Sequence, residues 1–347
     1  MLASALIGCS SREGGNTWTT GTDGGAEETA HGASEVGSSS GGGGDTEGTG
    51  STRGASENGD SSGDADSSSS AGDTTGSAPS GPGCPADWAT MHPEWIFCDD
   101  FESDAPLVGA GRYFEHDDNA GDFVVADGVG FDDSRGMQVH WQPGEVDAGF
   151  LHLSFGRTPS AYMDTGIRTD EDFREIWYRM MLRNAPGWTG SPAKVSRATV
   201  IAADDWSQAM IAHLWSDDAE HLGIDPASCV ENGQVVCSGY NDFEHLQWLG
   251  FQPGPTPVFA TEQAGQWRCI EAHVRLDDAG RANGIQEFWI DGVLEARGEG
   301  LAFVGSYADY GINAVFFENY WNAGSPQDQQ RFFDDIVVST APIGCPE

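Results

Sequence analysis

The ten residues from Trp267 to Leu276 alternate strictly. Ile270, Ala272, Val274 and Leu276 fall on one side, and Cys269, Glu271, His273 and Arg275 on the other. A period of two with one apolar side describes a strand that lays one face on a core and turns the other to solvent or a groove. Strand-length runs of related character recur at 175–183, 198–204, 209–215, 245–251, 286–292, 312–321 and 331–339. They are separated by Asp, Ser, Gly and Pro. Asp291-Gly292 is a hairpin dipeptide whose residues tolerate positive φ. No long helical period appears. The pattern predicts an all-β fold with two curved antiparallel sheets, one of them concave, in a jelly-roll β-sandwich over residues 83–347.

What precedes this region differs in kind. Residues 10–82 are Gly, Ser, Thr, Asp and Glu with almost nothing apolar. Such a segment cannot bury enough surface to offset its ordering entropy, so a disordered linker is expected. Asp and Glu number 55 against 16 Lys and Arg, giving a formal net charge of −39. Repulsion of that size argues against nucleic acid as a partner, and against membrane contact other than through a covalent lipid anchor.

Seven cysteines split into a lone Cys9 and a set of six: Cys84, Cys98, Cys229, Cys237, Cys269 and Cys345. An even set points to three disulfides and an oxidising compartment. Cys229 and Cys237 flank a turn at Asn232-Gly233 and are expected to pair. Pairing Cys84 with Cys98 would leave Cys269 with Cys345, although sequence leaves the connectivity open. Leu6-Ile7-Gly8-Cys9 resembles the lipobox of bacterial lipoproteins, in which the cysteine is acylated. That resemblance implies that residues 1–9 are a signal remnant with Cys9 the lipidation site. Ser10, rather than Asp, then implies an outer-membrane or cell-surface, extracellular lipoprotein.

From Trp267 to Gly292 the chain has the form W-x-x-I-E-x-x-V-x-L, then N-G, then F-W-I-D-G. FCDDFES opens the domain and FFDDIVVST closes it. In these features it resembles the concanavalin-like jelly-roll polysaccharide lyases, the alginate, glucuronan and heparin lyase-like families. The resemblance implies a polysaccharide partner, possibly one containing uronic acid, cleaved by β-elimination. A non-catalytic, lectin-like carbohydrate-binding lipoprotein shares the same fold and stands as the alternative.

β-Elimination on a uronic acid needs a group to neutralise the carboxylate, a base for the C5 proton and an acid for the leaving oxygen. Lyases of this fold draw these from Arg, Gln or Asn, His and Tyr on the concave sheet. The corresponding candidates are Arg179 and Asn319 on the carboxylate, His213 as base and Tyr320 as acid. His245, Gln247 and Lys194 are further substrate-binding candidates. FFENYWNAG, which carries Asn319 and Tyr320, is loosely similar to the Tyr-Phe-Lys-Ala-Gly motif of alginate lyases. It keeps Ala323-Gly324 but has Asn322 where the lysine would stand. Trp215, Trp248 and Trp321, among 12 tryptophans, could stack on sugar rings. Lys194 and Arg197 could steer an acidic sugar.

A second cluster comprises Glu102 with Asp99 and Asp100 near the first strand, Asp334 and Asp335 on the last, and Asp132 and Asp133 in the loop GFDDSRG. Carboxylates gathered there favour a hard cation, and a structural Ca2+ is expected with Glu102, Asp133, Asp334 and Asp335 as ligands. No E-x-D-x-x-E strand, Gly-rich phosphate loop, G-x-S-x-G elbow or H-E-x-x-H helix occurs.

Overall fold

A computed structural model describes residues 83–216 and 219–346. Cys9 and the linker expected over residues 10–82 lie outside the described residues. Eighteen strands follow in chain order: β1 Trp95–Asp99, β2 Glu115–Asp117, β3 Phe123–Ala126, β4 Gly136–Trp141, β5 Asp147–Ser154 and β6 Glu175–Asn184. Next come β7 Lys194–Ile201, β8 Gln208–Ser216, β9 Leu222–Ser228, β10 Val230–Glu231, β11 Gln234–Val235 and β12 Gln247–Trp248. The series ends with β13 Gln252–Pro253, β14 Arg268–Arg275, β15 Gly284–Ile290, β16 Val293–Leu301, β17 Ala314–Tyr320 and β18 Gln329–Ser339. Among the described residues the only α-helical segment is the single turn Trp88–Met91.

Two large antiparallel sheets form the jelly-roll β-sandwich. The first runs β16-β15-β14-β6-β18-β4-β3, with β1 also paired to β18. The second runs β12-β9-β8-β7-β17-β5-β2, with β13 also paired to β9. The first and last strands are therefore neighbours, as expected. The alternation read from sequence sets the core. Ile270, Ala272 and Val274 of β14 meet Ile176, Tyr178 and Met180 of β6 on the inner side of the first sheet. Ala198 and Val200 of β7, Ala212 and Leu214 of β8, and Val315 and Phe317 of β17 supply the inner side of the second. Each Ile, Val, Leu, Met or Phe among them contributes about 1.5–3 kcal/mol when fully buried.

The opposite parity of β14 is covered rather than solvated. Cys269 bonds Cys345, and the Glu271 carboxylate accepts the backbone N–H groups of Ile343 at 2.8 Å and Gly344 at 3.0 Å. The C-terminal segment therefore lies across the outer face of the first sheet. The other disulfides join Cys84 to Cys98 and Cys229 to Cys237, so all three follow the expected pairing. Asn232-Gly233 and Asp291-Gly292 both have positive φ at each residue and close the β10–β11 and β15–β16 hairpins.

Candidate functional site

The outer face of the second sheet carries a row of side chains fixed by strand register. Glu115 stands opposite His152, His152 opposite Phe316, Phe316 opposite Arg197, Arg197 opposite His213 and His213 opposite Asp225. A second row sets Asp147 opposite Tyr320, Tyr320 opposite Lys194, and Lys194 opposite Trp215. Antiparallel partners point to the same side, so sequence positions 115 to 320 converge on one surface.

His213 is fully buried. Its Nδ1 lies 2.9 Å from the Asp225 carbonyl oxygen, and its Nε2 has no partner. A carbonyl can only accept, so Nδ1 carries the proton and Nε2 holds a free lone pair. Burial first, and then the positive charge of Arg197, push its pKa well below the usual imidazole value. His213 is thus a neutral base at physiological pH. Its ring lies 3.9 Å from that of Trp215 and 5.5 Å from that of Trp248, and Phe243 stacks on Trp248 at 6.3 Å. Trp248 and Phe243 are both exposed, so an aromatic ladder climbs from the buried imidazole to solvent.

Beside it lies a cationic pair. Arg197 donates through Nη2 to Glu318 Oε1 at 2.7 Å and through Nη1 to Asn241 Oδ1 at 2.6 Å. The Tyr240 hydroxyl donates to the same Glu318 oxygen at 3.2 Å. Burial alone would raise the Glu318 pKa, but Arg197, then Lys194 and His152, outweigh it and hold the carboxyl below its ordinary range. The Lys194 ammonium sits 4.4 Å from the Tyr320 ring centroid and 5.9 Å from that of Trp215. Asp225, whose backbone carbonyl holds His213, has its own carboxyl pushed up to about 6 by burial.

The structure therefore brings together His213, Tyr320, Lys194, Trp215 and Trp248 of the candidates read from sequence. It separates the others. Arg179 belongs to β6 in the first sheet, opposite Glu271, where its Nη1 donates to the Gly344 carbonyl at 3.1 Å. It lies under the C-terminal segment rather than on the concave face. Asn319 turns inward, fully buried, and its Nδ2 holds the Gly149 carbonyl at 3.0 Å. Plain alternation along β17 is the cause, since Glu318 and Tyr320 face outward and Asn319 lies between them; the bulge at Gly149 (φ 97°) only shifts the β5 partner, so that Glu318 pairs with Phe150 but Tyr320 with Asp147. Trp321 is packed in the core between Trp141 and Trp188. His245 and Gln247 are exposed near the sheet edge, held by Asp242 and Glu231, and join neither row.

Sequence reasoning missed His152. Its Nδ1 lies 2.9 Å from Glu115 Oε2, its Nε2 is unpartnered, and its ring stacks on Phe316 at 3.7 Å and on Phe150 at 4.1 Å. The alternation of Phe150, His152 and Ser154 against Leu151 and Leu153 would have placed it on the outer face. Nothing local in sequence pointed to Glu115.

The acidic cluster resolves into distinct roles. Asp99 is bound by Arg112 at 2.7 Å. Asp334 accepts from the Phe131 N–H at 2.6 Å, the Ser134 hydroxyl at 3.1 Å and the Asp335 N–H at 2.8 Å, so it pins the 131–134 loop. That occupation leaves Asp334 poorly placed as a ligand. Asp133 is exposed, and its charge acts on Arg183. Asp335 is buried with Oδ2 unpartnered. Its pKa is pushed up to about 6, first by burial and also by Asp100, Asp132 and Glu102, against the pull of Arg179. Glu102 Oε1 accepts the Arg135 N–H at 2.7 Å. Among the described residues no three His, Cys, Asp or Glu side chains converge as a ready ligand set. A cation at Asp335 would therefore draw further oxygens from backbone carbonyls, which suits Ca2+.

The fold and the two rows define a jelly-roll β-sandwich whose second sheet bears an aromatic-lined outer face of mixed charge, with Arg197 and Lys194 set among Glu115, Asp147, Asp225 and Glu318. The chain matches no protein-family model and no curated protein sequence. Among solved structures it is similar to an endo-beta-1,4-glucuronan lyase from the fungus Trichoderma reesei, at 14% identity and a TM-score of 0.47 over 71% of this chain and 96% of that one. It is similar to a marine alginate lyase from Aplysia kurodai at 10% identity and a TM-score of 0.47, over 71% and 99%. An alginate lyase from Chlorella virus gives 11% identity and a TM-score of 0.44 over 63% and 89%. At such values a shared activity does not follow, and the fold is read from the chain's own two sheets.

Proposed function

We propose that the chain is an extracellular polysaccharide-active protein whose concave face cleaves a uronic-acid polymer by β-elimination. The observation that carries this reading is the neutral His213, its proton fixed on Nδ1 and its Nε2 lone pair free, beside the row that joins Lys194 to Tyr320. Lys194 faces the uronate carboxylate and makes the C5 proton more acidic. His213 Nε2 takes that proton, the C5–H electron pair becomes the C4=C5 double bond, and the C4–O bond breaks with its electrons leaving on the oxygen. Tyr320, whose ring lies 4.4 Å from the Lys194 ammonium, protonates the departing oxygen. Arg197, sealed beneath Tyr240 and Phe316, supplies positive charge from below without touching substrate.

One observation favours the lectin-like alternative. The Nε2 atoms of both His213 and His152 are buried, so a chain lying on the exposed Trp248 and Phe243 could bind without reaching a base. Incubation with a panel of uronic-acid polymers decides between the two. Growth of the ultraviolet absorbance of an unsaturated uronate is expected. Retained sugar binding with no absorbance across the panel would leave only the lectin.

Residence outside the cell rests on the three disulfides, and attachment through an acylated Cys9 on the lipobox resemblance. We also propose a structural Ca2+ held by Asp335 and Glu102 with loop carbonyls. Its support is the buried, unpartnered Asp335 oxygen and the left-handed backbone at Phe101, Asp132, Asp133 and Asp335, strain that a bound ion would offset. Chelation is expected to lower the melting temperature by about 5–10 °C, restored by adding Ca2+. An unchanged melting temperature would remove the ion.

A further inference from the structure

Arg331 enters the core from β18, opposite Val139 and Asn184. It is fully buried. Its guanidinium carbon lies 5.2 Å from the Trp141 ring, 5.4 Å from Trp188, 5.6 Å from Phe333 and 5.9 Å from Phe259. Nε reaches Asn184 Oδ1 at 3.4 Å, but neither Nη1 nor Nη2 has a partner. The indoles of Trp141, Trp188 and Trp321 pack together at 5.7–6.3 Å, and the Nε1 atoms of Trp141 and Trp321 are also buried and unpartnered.

The four orphaned polar atoms, on Arg331, on Trp141 beside it and on Trp321 packed against Trp141, are all donors. The buried Asn319 Oδ1, an acceptor that also lacks a partner, bonds none of them. Burial pulls the Arg331 pKa down to about 9, which leaves the group charged at neutral pH, and among the described residues no carboxylate bonds its guanidinium. A buried cation needs a counter-charge or it destabilises the fold. Ring faces offset part of that cost but offer no acceptor to the N–H groups. A water molecule accepts only two hydrogen bonds and brings two hydrogens of its own that need acceptors. A halide accepts from every side and neutralises the guanidinium. We propose that the tryptophan cluster around Arg331 is a binding site for a small monovalent anion of the size of chloride or bromide. This site is independent of the concave face and of the reading given to it.

Two measurements on the whole chain test the site. Crystals soaked in bromide are expected to give an anomalous peak within hydrogen-bond distance of the Arg331 Nη atoms. The melting temperature is expected to rise by about 3–5 °C for each tenfold increase in chloride near saturation, against gluconate at equal ionic strength. Arg331→Met should abolish that dependence; if this variant does not fold, the bromide peak in the unaltered protein decides. Identical melting in the two salts, or bromide found only at the surface, overturns the proposal.

Discussion

His213→Gln is expected to lower kcat/KM on the cleaved polymer by about 10²–10⁴-fold, the range a positioned general base supplies, while the protein still folds. Glutamine keeps a donor for the Asp225 carbonyl that now holds Nδ1 at 2.9 Å, but it offers no basic nitrogen. The pH profile adds a second reading. The imidazole must be neutral to act, and burial followed by Arg197 holds its pKa well below the usual value. The acid limb of the rate is therefore expected below about pH 6.5, the ordinary imidazole value, and activity persists as pH rises through it. His152→Gln is the control, because His152 is oriented by Glu115 in the same row. Full activity in His213→Gln together with its loss in His152→Gln would move the base to β5 and sink the present assignment.

The sandwich was legible because its strands alternate. The parity of Trp267–Leu276 gave the inner face of β14 residue for residue, and two Gly-containing dipeptides marked their hairpins. The same rule placed His213 and Trp215 on one side of β8. Applied to β17 it sets Glu318 and Tyr320 outward and Asn319 inward, so Asn319 and Tyr320, neighbours on one strand, do not share the groove, and Asn319 reaches the Gly149 carbonyl instead. The bulge at Gly149, which makes Tyr320 pair with Asp147, was not legible, because a lone glycine in an eight-residue strand does not announce which partner it will shift. Arg179 misled for another reason. Parity tells which side of its own strand a residue faces, but not which sheet that strand joins; β6 proved to lie between β14 and β18. Glu115 was out of reach because the pairing of β2 with β5 spans 37 positions from Glu115 to His152. Only assembled register reveals such a dyad.

Glu318→Leu is expected to destabilise the domain by about 3–5 kcal/mol, the usual cost of removing one member of a buried ion pair. Arg197 is fully buried, and Glu318 Oε1 takes its Nη2 at 2.7 Å. Without that carboxylate the guanidinium keeps Asn241 at 2.6 Å and the faces of Tyr240 and Phe316, none of which carries a negative charge. Lys194, whose charge also acts on Glu318, would lose part of its balance. The decisive comparison is the double variant Arg197→Met with Glu318→Leu. Two charges leave together, the desolvation cost of both disappears, and stability should recover to above that of Glu318→Leu alone. Denaturant unfolding with the disulfides intact measures Glu318→Leu, Arg197→Met and the double variant. If the two substitutions simply add, the pair is not coupled, and Glu318 cannot be the group that keeps a cation buried beneath the concave face.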